Sequence, residues 1–80
     1  MYKIYVLKSK RNGKRYVGYT KKAPEDRLIE HNSGTNIWTR NNRPFQLIYS
    51  EKYETKADAM KREKFLKSGV GRKWLDEKNI

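Results

Sequence analysis

Five residues in this sequence have the types and spacing that chemistry on a phosphate would need. Tyr5 and Tyr16 lie in the first quarter of the chain, Arg27 and His31 stand four residues apart, and Glu63 follows later. A guanidinium suits a phosphate, phenols and imidazoles can orient an attacking water, and a carboxylate can hold a divalent cation. The absence of cysteine excludes disulfides, thiol catalysis and thiolate zinc sites. Together these side chains resemble the parts of a phosphodiesterase site.

The two tyrosines belong to a predicted β-hairpin that turns at Asn12-Gly13. With a four-residue loop over 10–13, Tyr5 faces Gly18, and Tyr5 and Tyr16 share one face as diagonal neighbours about 7 Å apart at their Cβ atoms. A two-residue loop keeps them on that face, one strand step further apart. Gly18 leaves open space beside Tyr5. Taken alone, this feature favours two ordinary half-buried strand aromatics, because tyrosine is common in strands.

Arg27 and His31 fall on a predicted first helix. Pro24 is tolerated in the first turn, and Gly34 can take the left-handed conformation that ends a helix. Residues four apart point the same way, so the guanidinium and the imidazole should lie together. The alternative is that His31 is only a polar residue of the last helical turn.

Glu63 falls on a second predicted helix, over 56–68. Ala59, Met60 and Leu66 form its predicted apolar stripe, and Glu63 projects between them. A buried carboxylate is unfavourable unless it is paired or bound to a metal. In so basic a chain, a structural salt bridge and a functional carboxylate are equal alternatives.

The remaining elements complete an α+β fold. Residues 41–44 form a predicted loop, Phe45–Tyr49 a third strand rich in β-formers, and residues 69–71 a break before a short helix over 72–78. The predicted order is β-β-α-β-α-α, a three-stranded, mostly antiparallel sheet flanked by helices. Eighty residues are enough for one domain, 1–80, with one core.

The charge of the chain indicates its partner. Lys and Arg number 20 against 9 Asp and Glu, a formal net charge of +11. Such an excess repels itself unless an anion compensates it, and nucleic acid is the first partner we expect. A membrane partner is not expected, because no segment is apolar enough to span one and no helix has a bulky apolar face. The N-terminus lacks the apolar run of a signal peptide, which predicts a cytoplasmic location.

The candidate residues also resemble a known family. Lys3-Ile4-Tyr5 followed by Tyr16-Val17-Gly18 resembles the GIY-YIG motif of a nuclease superfamily, with Arg27, His31 and Glu63 after it. The resemblance covers residues 2–74, and Ala59-Met60-Lys61-Arg62-Glu63 is most similar to the small stand-alone bacterial branch. That branch is similar to the N-terminal nuclease domain of the excinuclease that acts in nucleotide-excision repair.

Three positions depart from the family pattern. The opening glycine is replaced by Lys3, and Tyr19 stands where repair nucleases often carry a lysine. The C-terminal asparagine of the family has no assigned counterpart, because Asn79 lies late in the chain, near a terminus that can fray.

The resemblance implies a metal-dependent endonuclease that hydrolyses DNA rather than RNA, with structure- or damage-directed cutting in repair or recombination. One Mg²⁺ or Mn²⁺ ion would be held by Glu63. Tyr16, together with Tyr5, would orient or deprotonate the attacking water, Arg27 would neutralise the phosphate charge, and His31 would steady the nucleophile or the Tyr16 hydroxyl. A protein partner could supply targeting.

Two other functions fit parts of the pattern. The first is a nucleic-acid binding module without turnover, in which the hairpin tyrosines and Trp38 stack on bases and Arg27 holds a phosphate. The second is a protein-docking domain that uses Trp38, Phe65 and Trp74, which leaves the charge unexplained. The position of Glu63 separates nuclease from binding module, since a negative charge would weaken a pure binding groove. For a nuclease we expect Arg27, His31 and Glu63 to cover one end of the tyrosine-bearing face.

Overall fold

The computed structural model describes residues 1–34 and 37–80, which form three strands and four helices. The strands are β1 (Tyr2–Ser9), β2 (Arg15–Thr20) and β3 (Phe45–Tyr53). The helices are α1 (Pro24–Asn32), α2 (Ile37–Asn42), α3 (Lys56–Lys67) and α4 (Gly69–Glu77). Within the described ranges, no helix combines the length and apolar character needed to cross a membrane.

The strands form one antiparallel sheet with the order β2-β1-β3. The hairpin has the four-residue loop, because the Ser9 amide donates to the Lys14 carbonyl at 2.8 Å. Its register pairs Tyr5 with Gly18. The predicted α+β class and three-stranded sheet are therefore confirmed, and β2 lies at one edge of the sheet.

The two faces of the sheet carry separate apolar clusters. On one face Tyr5, Leu7 and Phe45 are buried, with Leu28 of α1 packed against them. On the other face Ile4, Val6 and Val17 of the strands meet three buried residues of α3 and α4, which are Ala59, Leu66 and Leu75. Alternation along β1 sends successive side chains to opposite faces. Helix α1 therefore covers the face that carries Tyr5, and α3 and α4 cover the other.

Three elements differ from the sequence prediction in extent. Helix α2 was not predicted, and its last two residues fall in the predicted loop over 41–44. The sequence did not indicate this helix because Thr and Asn have low helix propensity. Strand β3 continues to Tyr53 because it pairs with β1 along its length. Helix α4 begins at Gly69 rather than at 72, because the Ser68 hydroxyl accepts the Gly71 amide at 3.1 Å and caps its N-terminus.

Candidate active site

The two tyrosines lie together on the α1 face of the hairpin. The ring centroids of Tyr5 and Tyr16 are 6.3 Å apart, with an interplanar angle of 24°. Gly18 makes this arrangement possible, because a Cβ atom there would collide with the Tyr5 hydroxyl oxygen. Any larger residue at position 18 would displace the ring of Tyr5. The predicted pairing of an aromatic with a glycine is thus a requirement of the packing.

Helix α1 places Arg27 and His31 over these rings. The Arg27 Nε donates to the Tyr5 hydroxyl at 3.3 Å, and the same hydroxyl lies 3.1 Å from the His31 Nε2. The imidazole also contacts Tyr16, with ring centroids 4.4 Å apart. Four of the five candidate residues therefore form one group, which we call the phenol-imidazole cluster: Tyr5, Tyr16, Arg27 and His31.

The pKa values of Tyr5 and His31 are shifted in opposite directions, and these shifts indicate the protonation state of each side chain. Burial raises the pKa of Tyr5, and it outweighs the opposing effect of Arg27. Burial, together with the charge of Arg27, lowers the pKa of His31 against a smaller effect of Glu30. At neutral pH Tyr5 is thus a phenol and His31 an uncharged imidazole. Since the Tyr5 oxygen accepts from Arg27, its own O–H can donate to the His31 Nε2.

Exposure separates the two tyrosines. Tyr5 has 1% of its surface exposed, whereas Tyr16 is only partly buried. Burial and a raised pKa make Tyr5 unsuited to deprotonating water. Tyr16 is the phenol of the pair that a water or a substrate can reach.

Arg27 combines a fixed position with access to solvent. Its Nη1 donates to the Glu30 carboxylate one turn along α1, and its side chain is 31% exposed. Glu30 also accepts from Lys22 at 2.7 Å, and this bond and both cations hold the pKa of Glu30 below its usual value. The Arg27 guanidinium is therefore oriented by Tyr5 and Glu30, while part of the side chain stays accessible to solvent.

Glu63 is carried by a helix that does not cover the tyrosine face of the sheet. It lies on α3, which packs on the opposite face of the sheet from α1, and its side chain is 22% exposed. Its carboxylate is 3.6 Å from the Lys67 Nζ, and Lys67 lines a cavity together with Tyr16. The Glu63 charge also contributes to raising the pKa of Tyr5. Arg27 and His31 lie on the tyrosine face as expected, whereas the helix that carries Glu63 packs on the opposite face. The expected convergence of all three side chains on one end of the tyrosine face is therefore not confirmed.

The well-formed ion pair of α3 is made by Arg62 and not by Glu63. Arg62 donates to both carboxylate oxygens of Glu51 at 3.0 Å and lies over the rings of Phe65 and Trp74. Met60, predicted in the buried stripe, is 47% exposed. Arg62 lies over apolar rings while its guanidinium is paired with Glu51, so a long cationic side chain covers apolar surface on this helix. Glu63 has no comparable structural partner among the described residues.

The donor set around Glu63 is compatible with a hydrated hard cation. Among residues 1–34 and 37–80, no three His, Asp or Glu side chains converge as metal ligands. Mg²⁺ keeps several waters and is commonly held by one or two carboxylates plus substrate phosphate. Glu63 fits that role, because its ion pair is with a half-exposed lysine that an incoming cation could displace.

Sequence reasoning missed two groups beside the cluster. The Asn32 side chain bonds to both main-chain groups of Phe45 and ties the end of α1 to β3. The cationic residues near the edge of β2, which are Arg15, Lys67 and Arg72, lie together with Tyr16. The spacing of Lys67 four residues after Glu63 was the available signal for the second group. Trp38, assigned to base stacking or partner docking, has a side chain outside the described part of the chain.

An α+β domain whose first hairpin and first helix join two tyrosines, an arginine and a histidine is the arrangement expected of a GIY-YIG nuclease domain. Residues 1–75 match the family model described as the GIY-YIG catalytic domain. The chain belongs to that family.

The relatives are small proteins named only by family. A UPF0213 protein of Staphylococcus saprophyticus is 44% identical over 66 residues, which cover 81% of this chain and 78% of the relative. A UPF0213 protein of Staphylococcus aureus is 38% identical over 73 residues, covering 90% and 87% of the two chains. These lengths agree with a small stand-alone member of the family. No solved structure matches the chain.

Proposed function

We propose that this protein is a metal-dependent endonuclease that hydrolyses one phosphodiester bond in DNA. The observation that carries the proposal is the Tyr5 hydroxyl, which Arg27 and His31 both contact beside the ring of Tyr16. A guanidinium oriented in this way is suited to a phosphate. A net charge of +11 favours a polyanion as substrate.

Each residue of the cluster has a distinct task. Arg27 binds a non-bridging phosphate oxygen through its partly exposed side chain and neutralises charge that develops in the transition state. Tyr16 orients the attacking water. Tyr5 and His31 are positioning residues, because both are buried and their mutual bond fixes the ring against which Tyr16 packs.

The reaction forms a bond between the water oxygen and phosphorus and breaks the bond from phosphorus to the 3′ oxygen. The water proton passes to solvent, and the leaving oxygen takes up a proton to give a 3′ hydroxyl and a 5′ phosphate. A Mg²⁺ or Mn²⁺ ion held by Glu63 would supply charge stabilisation at the leaving oxygen. A role in repair or recombination, a protein partner for targeting and a cytoplasmic location are part of the same proposal.

Replacing Glu63 with glutamine tests the metal role. We expect Mg²⁺ or Mn²⁺ to switch on weak nicking of flapped, forked or damaged DNA, and Glu63→Gln to lower it by more than about a hundredfold. A Lewis acid contributes several kcal/mol at the transition state, and about 1.4 kcal/mol is tenfold in rate. DNA affinity should change little, because the metal acts mainly in the transition state. Nicking rates over a metal series and DNA affinity are the measurements.

Glu77→Gln is the matched control, since Glu77 is exposed on α4 and the charge change is the same. Arg27→Ala should weaken both binding and turnover, because the guanidinium meets the phosphate before and during reaction. Thermal melting confirms that each variant is folded. If folded Glu63→Gln cuts as fast as wild type, the metal role is wrong. If wild type cuts none of these substrates with either metal, the binding module becomes the better function.

A further inference from the structure

A cavity of about 210 Å³ opens along the free edge of strand β2. Residues 15–17 line it from the strand, and Leu66, Lys67, Arg72 and Leu75 line it from α3 and α4. Alternate side chains of a strand point to opposite faces. Three consecutive strand residues can therefore line one cavity only at the edge of the sheet.

The cationic residues of this cavity differ in how firmly they are held. Arg15 donates to the Asp76 carboxylate at 2.5 Å, and its Nε donates to the Ile80 main-chain oxygen at 3.0 Å. Lys67 has the 3.6 Å pair with Glu63, and its side chain is 54% exposed. Arg72 is exposed and forms no ion pair within the described residues. Lys67 and Arg72 are thus available to an anion.

The size and lining of the cavity suit a base together with its phosphate. An engineered apolar cavity of about 150 Å³ binds benzene, so about 210 Å³ accommodates a six-membered heterocycle with its substituents. Val17, Leu66 and Leu75 are buried and give the lining an apolar part. Tyr16, which belongs to the lining, and the apolar stems of the cationic side chains supply surfaces on which a base can stack.

The cavity borders the candidate active site at Tyr16. Tyr16 belongs both to the phenol-imidazole cluster and to the cavity lining. Lys67 connects the cavity to Glu63. A nucleotide in the cavity would therefore lie next to the phosphate that Arg27 and Tyr16 address.

We propose that this cavity holds one unpaired pyrimidine nucleotide beside the scissile phosphate, with the base against Tyr16 and the phosphate on Lys67 and Arg72. The proposal rests on the proposed nuclease function and names its substrate class. A base held in a pocket has left the stack of a duplex, which is easiest where it is already unpaired or damaged. The preferred DNA therefore carries an unpaired nucleotide at the cut.

Binding of short oligonucleotides without divalent metal tests the cavity separately from cleavage. The probes are 5′-phosphorylated trithymidylate and a trimer of the same charge in which every base is absent. We expect trithymidylate to bind about tenfold more tightly, because stacking of a base on an aromatic contributes on that scale. It should also shift the methyl NMR signals of Val17 and Leu75, which the abasic trimer should leave in place.

In the double variant Lys67→Ala/Arg72→Ala, the affinity for trithymidylate should fall to that for the abasic trimer. The matched control is Lys64→Ala/Lys73→Ala, which makes the same charge change at exposed positions on α3 and α4 outside the lining. The control should keep the preference for trithymidylate. Equal affinity of wild type for both trimers, equal methyl shifts, or a preference that survives in the cavity variant overturns the proposal.

Cleavage assays then distinguish failure of the cavity from failure of the nuclease. A preference for trithymidylate without nicking in Mg²⁺ or Mn²⁺ keeps the cavity and removes the proposed activity. Nicking of DNA by a protein that binds both trimers equally keeps the activity and removes the cavity proposal.

Discussion

At the scale of single residues, His31 is the clearest example of a side chain whose chemistry is set by its surroundings. It is 2% exposed, and its Nε2 meets the Tyr5 hydroxyl. Its Nδ1 is buried without a hydrogen-bond partner in the described part of the chain. Burial and the nearby Arg27 both disfavour the imidazolium and lower the pKa of His31. The residue therefore serves as a neutral acceptor for the Tyr5 hydroxyl.

The lowered pKa gives a stability that depends on pH. In the unfolded chain His31 titrates near its ordinary value of about 6.5, whereas the folded protein resists protonation. The contribution of neutral His31 is therefore fully present above pH about 6.5. The free energy of unfolding should fall as the pH drops from about 6.5 through the folded pKa, because the unfolded state binds the proton first.

Two measurements check this prediction. His31 is the only histidine, so its NMR titration is unambiguous, and its midpoint in the folded protein should lie below 6.5. Urea unfolding at several pH values should show the slope in wild type, and His31→Gln should lose the part of it between pH about 5 and 6.5. A midpoint at or above 6.5 would contradict the burial argument.

At the scale of secondary-structure elements, the end of α1 is held to β3 by the side-chain amide of Asn32, which forms the hydrogen bonds that a neighbouring strand would form. The Asn32 Oδ1 accepts the Phe45 amide at 2.6 Å, and the Asn32 Nδ2 donates to the Phe45 carbonyl at 3.2 Å. The primary amide thereby pairs with the first residue of β3 as a neighbouring backbone would. Because His31 precedes Asn32, this anchor also sets the height of the imidazole above the sheet.

Asn32→Asp should destabilise the protein by about 1–3 kcal/mol, since the carboxylate keeps the acceptor but loses the donor and faces the Phe45 carbonyl. Asn41→Asp on exposed α2 makes the same charge change and serves as the control. The free energy of unfolding in urea is the measurement. Equal values for the two variants would show that the Asn32 anchor contributes nothing to stability.

At the scale of the whole molecule, the charge exceeds what the protein can neutralise internally. Nine carboxylates face 20 Lys and Arg residues, and some of those carboxylates are committed to internal pairs such as Glu51 with Arg62. The remaining cations repel one another unless an external anion is bound. DNA binding should therefore derive much of its free energy from counterion release.

The affinity for a DNA duplex or branched junction should fall linearly on a log–log plot as salt rises, with a slope of about 0.9 per phosphate contact. Removing one contact by Arg27→Ala should reduce the slope by about that amount. Fluorescence anisotropy across a salt series measures both slopes. An affinity that does not change with salt would show that the +11 charge serves another purpose.

Local geometry allowed the sequence to predict much of this protein. Tyr5 and Tyr16 share a face because strand alternation and a short loop leave few registers, and Arg27 and His31 point together because helical periodicity requires it. The sequence also predicted the three strands, the antiparallel sheet and the family resemblance. Each of these depends on residues close in the chain or on a short motif.

Only the tertiary structure decided how distant elements meet. The orientation of α3 pairs the partly buried Arg62 with Glu51 and exposes Met60, and the helical pattern of the sequence did not decide either position. The position of Glu63, and the cavity beside β2, depend on which face of the sheet α3 and α4 cover. The raised pKa of Tyr5 and the lowered pKa of His31 arise from desolvation. Desolvation is a property of packing in three dimensions, and residue spacing does not encode it.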